Sequence, residues 1–382
     1  MRLIHTSDIH LDASFATPGM PAGFGNRRRQ ALRDVFRDVI QRTKEWPADA
    51  LLVAGDLFEL ERITRDTVAF LKQVFESLGE IPVFIAPGNH DPYVPASPYA
   101  TESWPSNVVI FRKADWEGVE MPKIPLTIHG FAFDGAEISS NPFGNLQIPR
   151  DGRTHIAVGH GSEMGCLPPE KGVHAPFTAA AASATRLRYL ALGHYHTLKG
   201  INAPFGTRMF YSGSPEGHSF RETGALCFLE VSIEQDEVDV RPRPSSRYIY
   251  LERRLDCSEF STSQEVIDAI RGVAQTEGNN LIARIRLVGA CQSSWHAEFN
   301  AIRHAVEPEF EFIDLVDELE PVEDYDQLAR EETSLGAFVR QIGEEIDRSA
   351  DERHRRMLQR SREVGIAAFR GHALPVRGLE QE

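Results

Sequence analysis

Residue types that bind divalent metals recur at five places in the chain, each directly after a short apolar run. The five segments are Ser7-Asp8-Ile9-His10, Gly55-Asp56-Leu57, Gly88-Asn89-His90-Asp91, Gly159-His160-Gly161 and Gly193-His194-Tyr195-His196. Carboxylate and amide oxygens suit hard cations, whereas imidazole nitrogens suit borderline ones. This mixture favours manganese, iron or zinc over calcium or magnesium. The ligands are too many for one ion, so we expect two ions that share one carboxylate.

The spacing within these segments is typical of strands that open into loops. Residues i and i+2 of an extended chain face the same way, so Asp8 with His10, and His194 with His196, can reach one site. In an open α/β sheet, ligands bind outside the carboxyl ends of the strands. One segment alone could be only a turn or a helix cap. The full ordered set predicts that five strands bring metal ligands to one rim.

Two other histidines are alternatives to His160 as the metal ligand of the fourth segment. His129 and His155 also lie in or beside predicted strands. We select His160 because Gly159 and Gly161 flank it and permit close approach of the backbone. Three further histidines are not expected to be ligands: His5, His174 and His218.

The elements that must position these residues alternate along the first 245 residues. Continuous apolar runs predict strands at residues 2–6, 50–54 and 81–86. Apolar residues at helical spacing predict helices at residues 29–44 and 67–78. Further short strand patterns follow as far as residue 233, so the early part reads βαβαβ and the later part is rich in strands. The pattern predicts a layered α/β sandwich over residues 1–245.

A second region follows the segment Arg241-Pro242-Arg243-Pro244, which marks a boundary. Alternating strand and helix patterns predict a small α+β domain over residues 246–330. Residues 331–382 read as a helical tail, whose basic end begins near Arg353. One stripe of the tail is apolar: Leu335, Phe338, Val339, Ile342 and Ile346. Its simplest interpretation is a helix that packs on its own protein.

Composition excludes several classes of protein. The chain has 382 residues, of which 41% are hydrophobic and 25% are charged, as in ordinary globular proteins. No run approaches the roughly 18 consecutive apolar residues that a membrane helix requires. The first residues lack the apolar core of a signal peptide, so we expect a cytoplasmic protein without membrane contact. The four cysteines are far apart and are predicted to be reduced structural thiols: Cys166, Cys227, Cys257 and Cys291.

The net charge of −15 argues weakly against a protein that coats nucleic acid by charge alone. It does not exclude a nuclease, because metal ions can supply positive charge at the site.

The ordered motifs resemble the calcineurin-like metallophosphoesterase superfamily. The segments around Asp8, Asp56 and His194 are more narrowly similar to SbcD-type DNA repair exonucleases, the bacterial relatives of the meiotic recombination eleven nuclease. The stretches 88–95 and 211–217, with Trp104-Pro105 between them, are similar to the bacterial YhaO-like branch. The resemblance covers residues 1–230. It implies a four-layer α/β/β/α sandwich with a smaller α+β capping domain and a C-terminal helical tail.

The resemblance implies a role for each residue of the motifs. The first metal would be held by Asp8, His10 and His196, the second by Asn89, His160 and His194, with Asp56 as the bridge. His90 takes the place of the catalytic histidine near the scissile phosphate, and Asp91 would orient or polarise it. Two divalent ions, manganese first with iron or zinc as alternatives, would activate a water for attack on phosphorus. His90 would then assist departure of the sugar oxygen.

The resemblance also implies partners, and it leaves rival functions open. DNA would be the substrate, and an SbcC-like coiled-coil ABC-type ATPase would bind the C-terminal helices; a homodimer is compatible with the family. The first rival is a phosphodiesterase or phosphatase acting on a small phosphoester, because one scaffold hosts many activities. The second is a non-catalytic scaffold subunit of a repair complex with a vestigial site.

Substrate contacts are less sharply defined by the sequence. Arg27, Arg28 and Arg29 open a predicted helix on the metal side of the sheet and could hold DNA phosphates, or could be solvated. Tyr93, Tyr99 and Trp104 could stack on a nucleotide. Aromatic residues in a Pro-rich loop more often pack that loop against the protein, and we expect packing here.

Overall fold

The computed structural model describes residues 1–15, 20, 22–166, 172–278, 280–296 and 298–371. These residues divide into two compact units. The first unit contains Met1–Arg253, Ala274–Arg284 and Phe310–Asp314, and the second contains the rest of the described chain. The domain limits at residues 245 and 330 stay a prediction, because the two units exchange segments along the sequence. Among the described residues, no helix is long and apolar enough to cross a membrane, and the four cysteines are free thiols.

Strands and helices alternate first and then give way to a strand-rich region, as the apolar patterns predict. The strands are β1 (Arg2–Thr6), β2 (Ala50–Val53), β3 (Val83–Ile85), β4 (Val108–Ile110), β5 (Glu117–Glu120), β6 (Leu126–Gly130), β7 (Thr154–His160), β8 (Tyr189–Gly193), β9 (Lys199–Ile201), β10 (Arg208–Tyr211), β11 (Cys227–Glu234), β12 (Glu237–Pro244), β13 (Ile249–Asp256), β14 (Leu281–Gln292) and β15 (Phe312–Val322). The helices are α1 (Phe24–Glu45), α2 (Arg65–Glu76), α3 (Pro98–Thr101), α4 (Ala179–Ala184), α5 (Ser263–Glu277), α6 (Ser293–His296), α7 (Phe299–Val306), α8 (Tyr325–Arg330), α9 (Ser334–Arg348) and α10 (Glu352–Phe369).

Two six-stranded sheets form the centre of the first unit. The first has the order β12-β11-β1-β2-β3-β4 and the second the order β5-β6-β7-β8-β10-β9. Strands β1 to β4 run parallel, and so do β6, β7, β8 and β10. The carboxyl ends of each parallel set therefore meet at one edge of their sheet. A third sheet has the order β13-β14-β15.

Alternation of side chains along the strands builds the layers of the first unit. Leu52 of β2 belongs to an apolar cluster with Ile128 of the second sheet. Its neighbours Leu51 and Val53 point the other way, into a cluster with residues of α1 and α2. On the far side of the second sheet, Leu190 of β8 packs in a cluster that includes residues of α4. The order helix, sheet, sheet, helix confirms the predicted α/β/β/α sandwich.

The described part of the predicted tail, residues 331–371, folds as helices that pack on one another, and residues 372–382 lie outside the described residues. The helical pattern is interrupted around residues 349–351, because Asp351 caps a new helix. Its side chain accepts a hydrogen bond from the backbone N–H of Arg353 at 3.0 Å. The apolar stripe of α9 packs with residues of α8 and α10, in clusters of Leu328, Val339 and Ile366, and of Ile342, Ile346 and Leu358. The expected packing of the tail on its own protein is therefore present within the second unit.

Candidate metal centre

Loops at one rim of the sandwich carry the predicted metal-binding residues. Asp8 and His10 follow β1, Asp56 follows β2, Asn89 to Asp91 follow β3, His160 ends β7, and His194 and His196 follow β8. Backbone hydrogen bonds join neighbouring loops, since the N–H of Asp8 donates to the carbonyl of Gly55 at 3.1 Å. The N–H of His10 donates to the carbonyl of Asp56 at 2.9 Å. Parallel strands thus deliver these residues to the same edge.

Asp8, His10 and His196 form the first cluster of candidate ligands. Their donor atoms lie within 4.8 Å of one another, and Oδ1 of Asp8 is 3.6 Å from Nε2 of His196. Nδ1 of His10 lies 2.8 Å from Oε1 of Glu59, and Nδ1 of His196 lies 2.9 Å from Oε1 of Glu222. Because an ionised carboxylate only accepts hydrogen bonds, each ring donates from Nδ1. The lone pair of Nε2 then faces the site.

Asp56 and His160 form the centre of a second cluster. Oδ2 of Asp56 lies 3.2 Å from Nε2 of His160 and 3.7 Å from Nε2 of His10. Oδ1 of Asn89 lies 3.0 Å from the same nitrogen of His160. Nδ1 of His160 donates to the carbonyl oxygen of Ala54 at 2.9 Å, so Nε2 of the neutral ring is an acceptor. Asp56 has the central position that a bridging carboxylate requires.

His194 lies against both clusters. Its backbone N–H donates to both carboxylate oxygens of Asp8 at 3.1 Å. Its ring centre is 5.1 Å from that of His160, and its Nε2 is 3.1 Å from the carbonyl oxygen of Gly172. The structure thus brings to one place all the residues predicted as metal ligands: Asp8, His10, Asp56, Asn89, His160, His194 and His196.

The nitrogen and oxygen atoms of this centre are better suited to binding a cation than to hydrogen bonding with one another. When His160 is neutral, its Nε2 is an acceptor like Oδ2 of Asp56 and Oδ1 of Asn89, so their approach to within hydrogen-bonding distance requires a proton or a metal cation among them. Nε2 of His10 and Oδ2 of Asp56 are buried without a hydrogen bond of normal geometry in the described part of the chain. Buried polar atoms normally have partners. A borderline divalent cation suits this mixture of nitrogen and oxygen donors.

Electrostatics in the centre favour the ionised form of Asp56 and the neutral form of His10, whereas His160 attracts a proton. Burial alone would raise the pKa of Asp56, but His160 and His10 beside it hold that pKa well below its ordinary value. Burial lowers the pKa of His10. Burial also opposes a charge on His160, but the adjacent Asp56 outweighs it and raises the pKa of that ring. A cation at this position would replace the proton that Asp56 attracts to His160.

The loops of the centre hold non-glycine residues in the left-handed backbone region. The φ angle is 52° at Asp8, 48° at His10 and 52° at Asp56. Such conformations are costly and cluster at functional sites. Glycines in the motifs permit the close packing of these loops. A Cβ atom on Gly88 would lie 2.4 Å from the carboxylate of Asp56, and one on Gly193 would lie 1.9 Å from a backbone oxygen.

His90 lies at the exposed edge of the centre, and its side chain is 42% exposed. Its Nδ1 is 3.0 Å from Oε2 of Glu59, the carboxylate that also holds His10. Asp91, predicted to orient His90, has other contacts. It accepts hydrogen bonds from the backbone N–H groups of Gly88, Asp56 and Leu57 and from the hydroxyl of Tyr99. Burial and the nearby charge of Asp56 raise the pKa of Asp91 to about 6. Asp91 therefore joins the loops after β2 and β3.

Two acidic residues that the sequence analysis does not select hold histidines of the centre. Glu59 is one of them, as described above. Glu222 is the other, with Oε1 at 2.9 Å from Nδ1 of His196 and Oε2 at 3.1 Å from Nδ1 of His218. Glu59 lies three residues after Asp56 in the same loop, and that spacing is the signal that could have identified it. No local signal in the sequence links Glu222 to His196.

Histidines outside the predicted ligand set have structural contacts. His5 is buried in β1 and hydrogen-bonds to a tyrosine hydroxyl at 2.8 Å. His129 and His155, the alternatives to His160, contact each other through Nε2 and Nδ1 at 2.9 Å. Nε2 of His155 in turn lies 3.0 Å from Asp151. The ring centre of His174 is 5.2 Å from that of His194, a predicted ligand.

Arginines at the start of α1 are engaged within the protein. Arg28 is fully buried, with Nη1 at 2.7 Å from Oε1 of Glu216 and its guanidinium carbon 4.3 Å from the ring centre of Tyr248. Arg27 pairs with Glu311 at 2.6 Å. The expectation that Arg28 is a DNA contact or a solvated residue is wrong, because a buried carboxylate and aromatic rings enclose it.

Two of the aromatic residues after β3 pack the loop, as expected. Tyr99 is 4% exposed, and its ring centre is 5.9 Å from that of Trp104. The indole N–H of Trp104 donates to the carbonyl of Pro98 at 3.1 Å. Tyr93 is partly buried against the same core. These contacts confirm the packing interpretation for this loop.

Comparison with known proteins agrees with the geometry. Residues 1–198 match the family model of the calcineurin-like phosphoesterases, which confirms the resemblance found in the motifs. The chain is 26% identical over 294 residues to "Uncharacterized metallophosphoesterase YhaO" of Bacillus subtilis. It is 22% identical over 259 residues to "DNA double-strand break repair protein Mre11" of Methanopyrus kandleri. It is 22% identical over 250 residues to a subunit of the nuclease SbcCD of Staphylococcus epidermidis.

These matches cover more of this chain than of most relatives. The match to the Bacillus subtilis protein covers 75% of this chain and 66% of that protein. The match to the Methanopyrus kandleri protein covers 62% of this chain and 51% of that protein. The match to the Staphylococcus epidermidis protein covers 58% of this chain and 63% of that protein. The chain thus spans between half and two thirds of the length of these three relatives.

Proposed function

Because the chain belongs to the calcineurin-like phosphoesterase family, we propose that it is a metal-dependent phosphodiesterase that cleaves DNA, as an exonuclease or endonuclease in DNA repair. The observation that carries this proposal is the convergence of acceptor atoms around Oδ2 of Asp56. Acceptors in a buried position are costly unless positive charge lies among them. An enzyme that hydrolyses phosphoesters with two cations requires such a centre.

The ligand roles in the proposal follow the two clusters. Asp8, His10 and His196 hold one divalent ion, Asn89, His160 and His194 hold the other, and Asp56 bridges them. When bound, the ions, manganese first, supply positive charge for the phosphate oxygens and lower the pKa of a water. Glu59 and Glu222 fix the tautomers of two ligand histidines and increase the basicity of Nε2.

His90 is the proposed acid of the reaction. Its exposed position at the edge of the centre suits contact with a substrate. Glu59 accepts the hydrogen bond of Nδ1 and stabilises the protonated ring, so Nε2 can deliver a proton to the leaving sugar oxygen. Asp91 supports this residue indirectly, because its carboxylate fixes the backbone of the loop that carries His90.

DNA is the proposed substrate because two of the similar proteins are named for DNA repair and nuclease activity. A small phosphoester remains the alternative, since the match to a metallophosphoesterase without a named substrate covers more of the chain. The scaffold alternative is less well supported, because a vestigial site would have no reason to keep acceptors opposed in a buried centre.

Partners and location belong to the same proposal. An SbcC-like ATPase and a homodimer are expected from the family resemblance, as is a cytoplasmic location. The apolar stripe of α9 is buried among α8 and α10, so an ATPase would contact another surface of the tail. Binding of a purified ATPase partner to this protein, with and without residues 331–382, tests that expectation.

The test is a comparison of two substrates with and without Mn²⁺: a labelled duplex with a single-stranded overhang, and bis-p-nitrophenyl phosphate. We expect DNA cleavage that requires Mn²⁺ and falls about 100-fold or more in His90→Ala. Calorimetry should show that His90→Ala still binds Mn²⁺. Turnover of the small ester alone, even with the ATPase added, would contradict the nuclease function. Failure to bind Mn²⁺ at all would favour the scaffold.

A further inference from the structure

A group of arginines lies at the end of the second sheet opposite to the metal centre. Arg150 precedes β7, Arg186 and Arg188 precede β8, and Arg208 begins β10. These three strands run parallel, and the ligands from β7 and β8 lie at their carboxyl ends. Since β7 has 7 residues, the two ends of the sheet are about 20 Å apart. The arginines therefore form a region separate from the metal centre.

Three of these arginines form no ion pair in the described part of the chain. Arg188 is paired, because its Nη1 donates to the carbonyl of Asp236 at 3.0 Å and its Nη2 contacts the carboxylate. The side chains of Arg150, Arg186 and Arg208 are exposed. Arg208 lines a cleft that also contains acidic residues: Glu234, Asp236, Glu237 and Asp239. A bound anion would relieve their mutual repulsion.

A cleft of about 320 Å³ opens beside Arg150 and Arg186, and Asp236, the partner of Arg188, also lines it; Arg208 lines a neighbouring cleft. Arg150 and Arg186 line it together with Arg153 and His155. The guanidinium of Arg153 is fixed in place, because it donates to the hydroxyl of Thr127 at 2.9 Å and to backbone carbonyls, one of them at 2.8 Å. The cleft thus combines a fixed wall with two exposed cations. Its volume lies in the range of small-ligand sites.

A second cleft shares Arg186 and Arg188 and has Phe205 in its wall. The ring of Phe205 is 76% exposed. Its backbone is left-handed, with φ of 66°, a conformation that phenylalanine rarely adopts. The hydroxyl of Ser183 at α4 holds this loop through the carbonyl of Pro204. The loop therefore presents an aromatic surface to solvent next to Arg186, which forms no ion pair among the described residues, and next to the paired Arg188.

We propose that this arginine cleft, together with the ring of Phe205, binds a single strand of nucleic acid. Exposed guanidinium groups contact successive phosphates, and a base stacks on the aromatic ring. An acidic peptide would use the cations but not the ring, so the ring favours nucleic acid. The proposal goes beyond the cleavage activity and does not depend on it, because this binding requires no metal.

The test is the anisotropy of a fluorescent oligothymidylate, titrated with the full chain in EDTA. We expect the triple variant Arg150→Ala, Arg186→Ala, Arg208→Ala to bind about tenfold more weakly or worse. Its dependence of log affinity on log salt should be smaller by about 2, since each lost phosphate contact contributes about 0.7. Phe205→Ala should weaken binding roughly fivefold or more, from lost stacking.

A matched control removes three other exposed positive charges: Arg37→Ala, Lys44→Ala, Arg243→Ala. It has the same net charge as the cleft variant and should bind like the wild type. Equal binding by the two triple variants would overturn the proposal. Tight binding of polyaspartate that is unaffected by Phe205→Ala would also overturn it, in favour of an acidic protein partner.

Failure of the cleavage function is distinguishable from failure of this proposal. Hydrolysis of bis-p-nitrophenyl phosphate with Mn²⁺ reports on the metal centre alone and should be equal in both triple variants. If DNA is not cleaved but oligonucleotide binding still requires the arginines, the nuclease function is wrong and the binding site stands.

Discussion

The histidines of the metal centre each have one nitrogen fixed by an oxygen. Nδ1 of His10 donates to Glu59, Nδ1 of His196 donates to Glu222, and Nδ1 of His160 donates to a backbone carbonyl. Each hydrogen bond selects the tautomer that presents the lone pair of Nε2 to the centre. A carboxylate partner also makes that lone pair more basic. The outer carboxylates Glu59 and Glu222 therefore orient candidate ligands without being candidate ligands of the proposed set themselves.

Glu59 offers the sharpest test at this scale, because its two oxygens contact His10 and His90. In Glu59→Gln the amide has a single oxygen, so one ring loses its acceptor, and the negative charge is lost. We expect Mn²⁺ affinity and kcat on bis-p-nitrophenyl phosphate each to fall by about 10- to 100-fold. Calorimetry and steady-state rates measure the two effects. Glu61→Gln, in the same loop, is the control. Unchanged Mn²⁺ affinity and kcat in Glu59→Gln would contradict the proposed role of Glu59.

Parallel strands explain why the motifs of the candidate metal centre meet. The second sheet also carries a separate polar pair, formed by His129 of β6 and His155 of β7. Thr127 and His155 are register partners on β6 and β7, and His129 lies two residues beyond Thr127. Nε2 of His155 contacts Asp151, so its Nδ1 accepts the hydrogen bond from His129. The ring of His129 is kept neutral in this arrangement, which links the stability of the sheet to pH.

Burial lowers the pKa of His129 to about 4, against an ordinary value near 6.5. Between these values the unfolded chain binds a proton that the folded chain does not. The stability from this group is therefore present above pH 6.5 and is lost as the pH falls toward 4. We expect His129→Gln to lose less stability than the wild type between pH 7 and pH 5 in urea unfolding. His304→Gln, at an exposed position, should behave as wild type; an equal loss in His129→Gln would assign the effect to other groups.

Charge is distributed unevenly over the whole molecule. Buried carboxylates oppose one another in the metal centre, while unpaired arginines lie at the far end of the same sheet. In the first arrangement Asp8 and Asp56 are both buried and within reach of one cation, so a bound cation adds attractive contacts that the unfolded chain lacks. Metal binding should therefore be coupled to folding of the first unit.

We expect Mn²⁺ to raise the free energy of unfolding relative to EDTA. At a free concentration 100 times the dissociation constant, one site contributes about 2.7 kcal/mol. Thermal or urea unfolding in Mn²⁺ and in EDTA measures the difference. In Asp56→Asn the difference should largely disappear, because the central carboxylate is lost. Equal stability of the wild type in both buffers would argue against a metal centre.

The sequence by itself determined which residues are candidate ligands and that they lie at strand ends. It could do so because Asp8, Asp56 and His194 each follow an apolar strand, and the carboxyl ends of parallel strands share an edge. The layered fold followed from the same apolar runs, which alternate with helical periodicity. The interruption of the tail helix at Asp351 did not, because a cap competes with an otherwise continuous helical pattern.

Only the tertiary structure decided which partners hold those residues. Glu222 and His196 are 26 residues apart, and nothing local in the sequence links them. The burial of Arg28 against Glu216 and the exposure of Arg150, Arg186 and Arg208 likewise depend on which elements pack together. Side-chain contacts between distant segments arise from the fold as a whole, so spacing along the chain identifies the chemistry, whereas packing determines the partner of each side chain.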